Sequence, residues 1–222
     1  YDLKQVFKID PANPYFQADG YALYKTDETG KTLQFFYGKR EVEDGAAAAP
    51  FGYEGGLSYT VKEGTTRIAD GAFSYNRALS TIILPEGLIS IGDSAFESCY
   101  NLTTVQMPDS IESIGKNAFA SASIEEIQLG SALKYVGPGA FVAGNRWDQS
   151  SAKLENITVS EANQTFSVDK NALYMQKNDG TKTLVAYCGK EAFFEIPEGV
   201  SEVYGSAFSR SPVEEVQISA SV

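Results

Sequence analysis

Residues 88–108 read LISIGDSAFESCYNLTTVQMP, and the spacing of their apolar residues recurs along the chain. An Ala-Phe pair ends at Phe96, a β-branched residue lies five positions before that ring, and an apolar triplet follows it. Ala-Phe pairs ending at Phe73, Phe96, Phe119, Phe141 and Phe208 share this arrangement, and the first four rings lie 22 or 23 residues apart. The triplets are Leu79/Ile82/Leu84, Leu102/Val105/Met107, Ile124/Ile127/Leu129, Leu154/Ile157/Val159 and Val213/Val216/Ile218. A fixed period of this length indicates a repeat protein.

Each repeat is predicted to contain one short strand with one buried face. The last two residues of each triplet are two positions apart, and the residue between them is mostly polar, which is typical of a half-buried strand. Pro85 and Pro108 follow two of these strands, where a residue without an N–H ends the pairing. A unit of 22 or 23 residues cannot bury its apolar side alone, so the coils are expected to stack into a solenoid. The five Phe rings would then form one interior column.

A longer duplication surrounds the short repeats. Asn13, Phe16, Asp19 and the run 22–24 recur 150 residues later at Asn163, Phe166, Asp169 and the run 172–174. In each copy two apolar runs flank a polar turn that contains Gly30 or Gly180, and glycine supplies the positive φ of a tight turn. Each copy therefore predicts a β-hairpin inserted into a coil. Residues 40–57 have no counterpart in the second copy and are interpreted as a loop.

The composition excludes several functional classes. The net charge of −11 would repel a phosphate backbone, and the basic residues form no patch, so nucleic acid is not expected as a partner. The chain has no histidine, which removes the commonest general base and zinc ligand, and we predict neither a metal site nor a cofactor. Cys99 and Cys188 form no CxxC motif, although one disulfide between them stays possible. No apolar run is long enough to span a bilayer, and the start at Tyr1 suggests a segment of a processed or longer chain.

The pattern in residues 88–108 resembles the BspA-like leucine-rich repeats of bacterial surface and secreted proteins. The resemblance implies an α/β leucine-rich-repeat solenoid that is β-rich and right-handed. It would have one short strand per 22–23-residue coil and two β-hairpin insertions. Cys99 falls on a position that the family often fills with cysteine, and Asn76 occupies it one repeat earlier, which implies structural roles for both. The family also implies extracellular placement, adhesion or partner binding, and no catalysis.

We expect one continuous domain in four parts. Residues 1–58 hold a truncated repeat, the first hairpin and the loop, and residues 59–162 hold the leucine-rich repeats. Residues 163–198 hold the second hairpin, and residues 199–222 hold the final repeat.

Two surfaces are candidates for binding a partner. If the triplets point inward, the pleat turns the residues between and beside them outward. These residues are Thr81, Ile83, Thr104, Gln106, Glu126, Gln128, Asn156, Thr158, Glu215 and Gln217. Trp147, the only tryptophan, lies in an insertion and is the second candidate, because tryptophan is enriched at binding hot spots. A solvated face and a Trp147 that covers the solenoid are equally good interpretations.

The leading hypothesis is a non-catalytic, monomeric adhesion module that recognises a protein or glycan of a host or bacterial surface. The alternative is a structural spacer within a larger bacterial surface protein. Clustered exposed aromatic residues or a deep groove would favour binding, whereas a flat polar face would favour the spacer. A carboxylate hydrolase comes third, since it needs two acids facing one cleft.

Overall fold

The computed structural model describes residues 8–37, 56–142 and 154–222. These residues form 18 strands and no helix, so the α component of the predicted α/β class is wrong for this part of the chain. Tight turns join the strands instead. Ser94 and Ser98, on either side of Phe96, have φ values of 53° and 60°. Left-handed residues at this spacing prevent a right-handed helix from forming around the Ala-Phe pair.

The strands are numbered in chain order. They are β1 (Phe16–Ala18), β2 (Ala22–Asp27), β3 (Gly30–Phe36), β4 (Leu57–Thr60), β5 (Thr65–Ile68), β6 (Leu79–Ile83), β7 (Ser90–Ile91), β8 (Thr104–Gln106), β9 (Ser113–Ile114), β10 (Glu126–Leu129), β11 (Tyr135–Val136), β12 (Asn156–Val159), β13 (Phe166–Asp169), β14 (Ala172–Gln176), β15 (Lys182–Tyr187), β16 (Phe193–Glu195), β17 (Val200–Val203) and β18 (Glu215–Gln217).

Each full coil between residues 57 and 136 contributes two strands, so the prediction of one strand per coil is wrong. The additional strands contain the β-branched residue that precedes each Ala-Phe pair, and they stack in parallel as β5, β7, β9 and β11. Ile68 pairs with Ile91, and Ile91 pairs with Ile114. The repeat pattern predicted no strand in this segment, which is extended and stacks with the same period.

The triplet strands do not form one continuous sheet. They divide into three parallel ladders, β4–β6–β8, β10–β12 and β16–β18. The first break, between β8 and β10, coincides with a repeat in which Ile124 follows Phe119 by five residues, whereas Leu102 follows Phe96 by six. At the second break, between β12 and β16, the chain makes the strands β13–β15. At the first break one missing residue, and at the second break the inserted strands, displace the next triplet strand so that it does not pair with the preceding one.

The two duplicated segments each form an antiparallel unit of three strands rather than two. β1 and β13 add to the strands expected at the two apolar runs. The last strand of each unit then pairs in parallel with a repeat strand, Leu33 opposite Ile68 and Leu184 opposite Val203. The antiparallel units therefore continue the sheets of the repeats.

A column of stacked phenylalanine rings runs through the core. Phe36, Phe73, Phe96, Phe119 and Phe141 follow one another with ring centroids 4.7, 4.7, 5.1 and 6.1 Å apart. The last three neighbouring pairs lie within 16° of parallel. All five rings are buried, and Phe96 is 0% exposed. The predicted column is confirmed for four of its five members, and Phe36 of β3 extends it by one ring.

Phe208 does not belong to this column, which corrects the prediction. Its ring packs edge-on against Phe194 at 5.4 Å and tilted against Tyr187 at 5.7 Å, within a second buried cluster. Tyr187 is the counterpart of Phe36, which lies at the start of the first column. The second antiparallel unit therefore starts a new aromatic cluster with Tyr187, Phe194 and Phe208. The inward position predicted for Ile218 is also wrong, since this side chain is 65% exposed.

Aspartate side chains hold successive coils in register. Asp70 Oδ1 accepts a hydrogen bond from the Asp93 N–H at 2.8 Å, and Asp93 Oδ1 accepts one from the Lys116 N–H at 2.7 Å. A Cβ on Gly115 would lie 2.6 Å from the Asp93 nitrogen, closer than real contacts allow. Glycine is therefore required where neighbouring coils approach this closely.

The side chains of Asn76 and Cys99 bond to backbone, as the family resemblance implied. Asn76 Oδ1 accepts hydrogen bonds from the N–H groups of Ala78 and Leu79. The buried Cys99 thiol donates to the Phe73 carbonyl at 3.1 Å, and burial raises its pKa to about 12. Cys99 and Cys188 are both free, so the disulfide left open by the sequence is absent.

Candidate partner-binding face

The predicted outward residues lie on the solvent side of the triplet strands, and we call this surface the outward ladder. Thr81 and Ile83 are half-buried. The exposed members are Thr104, Gln106, Glu126, Gln128, Asn156, Thr158, Glu215 and Gln217. Their neighbours along the chain, such as Ile82, Ile127 and Ile157, are buried.

Strand pairing brings these residues together within each ladder. Thr81 lies opposite Thr104, and Ile83 lies opposite Gln106. Glu126 lies opposite Asn156 in the second ladder. The ten positions therefore belong to three separate ladders rather than to one sheet. Trp147, the other candidate, lies outside the described residues.

Sequence reasoning missed two strands of this face. β4 adds Ser58 opposite Thr81 and Thr60 opposite Ile83. β16 adds Phe193 opposite Glu215 and Glu195 opposite Gln217. The second strand had a readable signal, because Phe194 and Ile196 are two residues apart and precede Pro197, as Val105 and Met107 precede Pro108.

Charge divides the outward ladder into two parts. The outward positions of β4, β6 and β8 carry only Ser, Thr, Ile and Gln. Those of β10, β16 and β18 include Glu126, Glu195 and Glu215. Glu155, just before β12, forms an ion pair with Lys190 at 3.0 Å. Both side chains are more than half exposed, so this pair contributes little to stability.

Charge reversal at Glu126 tests the orientation of β10. We expect Glu126→Lys to change the free energy of unfolding by less than about 0.5 kcal/mol, because the side chain is exposed and has no structural partner among the described residues. Urea denaturation followed by circular dichroism measures this. Ile127→Lys is the matched control on the buried side and should unfold the chain. A large decrease in the free energy of unfolding of Glu126→Lys would mean that the buried and exposed faces of β10 are the reverse of those described.

A buried hydrogen-bonded group connects the first antiparallel unit to β4. The Tyr24 and Tyr59 hydroxyls are in direct hydrogen-bond contact, and Tyr59 donates to Asp19 Oδ2 at 2.8 Å. Burial raises the pKa of Tyr24 to about 12, and burial with the hydrogen bonds to Tyr24 and Asp19 raises the pKa of Tyr59 further. These hydrogen bonds have a structural role, because they join Asp19 and Tyr24 of the first antiparallel unit to Tyr59 of β4.

This group predicts a loss of stability at alkaline pH. A raised folded-state pKa means that the stabilisation is fully present below the ordinary tyrosine pKa of 10.0 and is lost as the pH rises toward about 12. Tyr59→Phe introduces the residue found at the equivalent position 194. We expect it to cost about 1 kcal/mol at neutral pH and to make the alkaline decline shallower. Urea midpoints measured from neutral to alkaline pH check both, and an unchanged decline would contradict the assignment.

A groove of about 90 Å³ opens where the phenylalanine column ends, between Phe141 and Tyr187. Glu155, Cys188 and Lys190 lie in its lining. Glu155 is the only carboxylate among the described lining residues, so the pair of acids that a glycoside hydrolase needs is missing there. In residues 8–37, 56–142 and 154–222, no cluster of three or more His, Cys, Asp or Glu side chains is arranged to hold a metal. The same residues include no helix with the length and hydropathy of a membrane span.

These features define a class of protein, a repeat solenoid in which short parallel strands stack around an aromatic column and present a polar outer face. The model of the BspA type leucine rich repeat region matches residues 56–178 with six copies, which is more than half of the chain. The chain therefore belongs to the BspA-type leucine-rich repeat family. No curated protein matches the sequence.

Solved structures of bacterial leucine-rich repeat proteins have a similar fold. A leucine rich cell surface protein from Faecalibacterium prausnitzii aligns over 95% of this chain and 72% of its own length, at 17% identity and a TM-score of 0.51. A leucine-rich repeat protein from Eubacterium ventriosum aligns over 93% and 60%, at 18% identity and 0.55. The pneumococcal vaccine antigen PcpA aligns over 74% and 45%, at 22% identity and 0.61. At these identities the similarity establishes the fold.

Proposed function

We propose that this chain is a non-catalytic binding module of a bacterial surface protein, and that it acts outside the cell. Its outward ladder holds a protein or glycan partner of a host or bacterial surface. The observation that supports this most directly is the row of exposed polar side chains on strands whose other side is fixed in the core. A rigid support of this kind fixes the backbone of the contact residues, which lowers the cost of ordering them on binding.

The proposal includes the arrangement of the whole chain. The coils wind in a right-handed solenoid that acts as one continuous domain and as a monomer. Membership of the BspA-type family supports the surface location, because a similar structure belongs to a leucine rich cell surface protein. The negative net charge supports a partner other than nucleic acid.

A structural spacer is the second candidate function. It is favoured by the outward ladder on β4, β6 and β8, which carries no charged or aromatic side chain and is polar apart from Ile83. A face of this composition has no Trp, Tyr or Arg of the kind that dominates binding energy. A spacer would bind nothing through this face.

A binding screen with two variants separates these functions. The purified chain is applied at low and high salt to immobilised host matrix proteins and glycans. Thr104→Lys combined with Gln106→Lys changes the outward ladder, and Tyr135→Lys is the control on β11, where the side chain is 46% exposed. The proposal expects at least one partner that the double variant loses and the control retains. No partner at either salt concentration, or equal loss in both variants, would contradict it and favour the spacer.

A further inference from the structure

β16 departs from the polar pattern of the outward ladder. Phe193 is 48% exposed, whereas the next residue, Phe194, is 4% exposed and packs with Ile196 in the second core cluster. The core therefore requires Phe194 but not Phe193, whose ring faces solvent on the unpartnered side of the sheet. Aromatic residues exposed in this way are enriched at binding surfaces.

Carboxylates surround this ring. Glu215 lies directly opposite Phe193 on β18, and Glu195 lies two residues further along β16 on the same side. Glu191 and Glu214 are exposed next to these strands. None of these four glutamates forms an ion pair with another described residue. The face thus combines a flat apolar ring with uncompensated negative charge.

We infer that the β16–β18 part of the outward ladder binds an extended, arginine-rich segment of a partner protein. This inference rests on the proposed function and assigns a chemical class to the partner. A guanidinium group stacks on the Phe193 ring and donates to Glu215, and a second basic side chain reaches Glu195. Arginine suits this position because its planar, weakly hydrated cation stacks on aromatic faces and pairs with carboxylates.

The spacing on β16 selects an extended partner. Phe193 and Glu195 are alternate residues of one strand, so they are roughly 7 Å apart along the same face. Alternate residues of an extended partner have the same separation. A neutral glycan would stack on Phe193 but would form no ion pair with the carboxylates, and a phosphate-rich polymer would be repelled by them.

Fluorescence anisotropy with a labelled peptide of alternating arginine and serine tests the inference. The whole chain is titrated at low and high salt, and a peptide with glutamate in place of arginine is the negative probe. We expect binding of the arginine peptide that weakens with salt. Phe193→Ser, and Glu195→Gln with Glu215→Gln, should each weaken it about tenfold. Glu63→Gln with Glu86→Gln is the control, since both are exposed glutamates outside the β16–β18 surface.

The results separate this inference from the proposed function. All the changed side chains are exposed, Phe193 to 48%, so unchanged denaturation midpoints will show that the variants are folded. Absence of peptide binding, an unaffected Phe193→Ser variant, or equal weakening by the control would overturn the inference. In one outcome the binding screen finds a partner whose binding depends on Thr104 and Gln106 while the arginine peptide fails to bind. In that case the inference is wrong and the proposed function stands. If neither experiment shows binding, both are wrong.

Discussion

Phe96→Ala is expected to lower the free energy of unfolding by about 3–5 kcal/mol. The ring is completely buried and stacks between Phe73 at 4.7 Å and Phe119 at 5.1 Å, so its removal leaves a cavity within the column. Coils above and below are held by aspartate hydrogen bonds and close backbone approach, which restricts collapse into that cavity. Urea denaturation followed by circular dichroism measures the loss.

Phe208→Ala is the matched control for Phe96→Ala. It removes the same side chain from an equivalent position of the repeat, but Phe208 is half-buried and lies outside the column. We expect a smaller loss, about 1–2 kcal/mol. Equal losses from the two substitutions would mean that stacking within the column adds no stability.

Asn163→Ala is expected to cost about 2–4 kcal/mol. Asn163 is 9% exposed, and its Oδ1 atom accepts hydrogen bonds from the N–H groups of Thr165 and Phe166 at 2.8 and 2.7 Å. Its Nδ2 atom donates to the carbonyls of Gly130 and Leu133 at 2.8 and 3.0 Å. One side chain therefore joins the second antiparallel unit to the preceding coil, and alanine leaves several backbone groups without partners.

The duplication provides a control for Asn163. Asn13 occupies the same position of the first copy and accepts the same two bonds, from Tyr15 and Phe16, but it is exposed. Asn13→Ala should cost about 1 kcal/mol, because water can replace the lost acceptor. Thermal or urea denaturation of both variants gives the comparison. If Asn13→Ala costs as much as Asn163→Ala, the bonds to Gly130 and Leu133 contribute nothing.

The sequence predicted those features that depend on periodic burial. The phenylalanine column and the inward triplets recur in register, and each inward residue occupies a site created by the preceding coil. The outward positions could also be predicted, because successive side chains of a strand point to opposite faces of the sheet. Glu126 and Gln128 are exposed on either side of the buried Ile127. The structural roles of Asn76 and Cys99 came from the family resemblance and not from their spacing.

Other features depended on information that periodicity does not contain. The strands around Ile91 and Ile114 are two residues long, and their pairing depends on backbone contact between coils. Phe208 matches the repeat motif, yet it leaves the column because the inserted unit places Tyr187 beside it. Phe193 is apolar, like the residues of the core. Only the burial of its neighbour Phe194 shows that Phe193 faces outward.

The shared phenylalanine column is the central claim, since it lies in the core on which the outward residues of β4, β6, β8, β10 and β12 are positioned. Selective labelling of phenylalanine rings and measurement of NOEs between them tests it most directly. The account predicts cross-peaks between Phe73 and Phe96 and between Phe96 and Phe119, with none between Phe141 and Phe208. Missing cross-peaks at Phe96, together with rapid solvent exchange of the neighbouring amides, would contradict it.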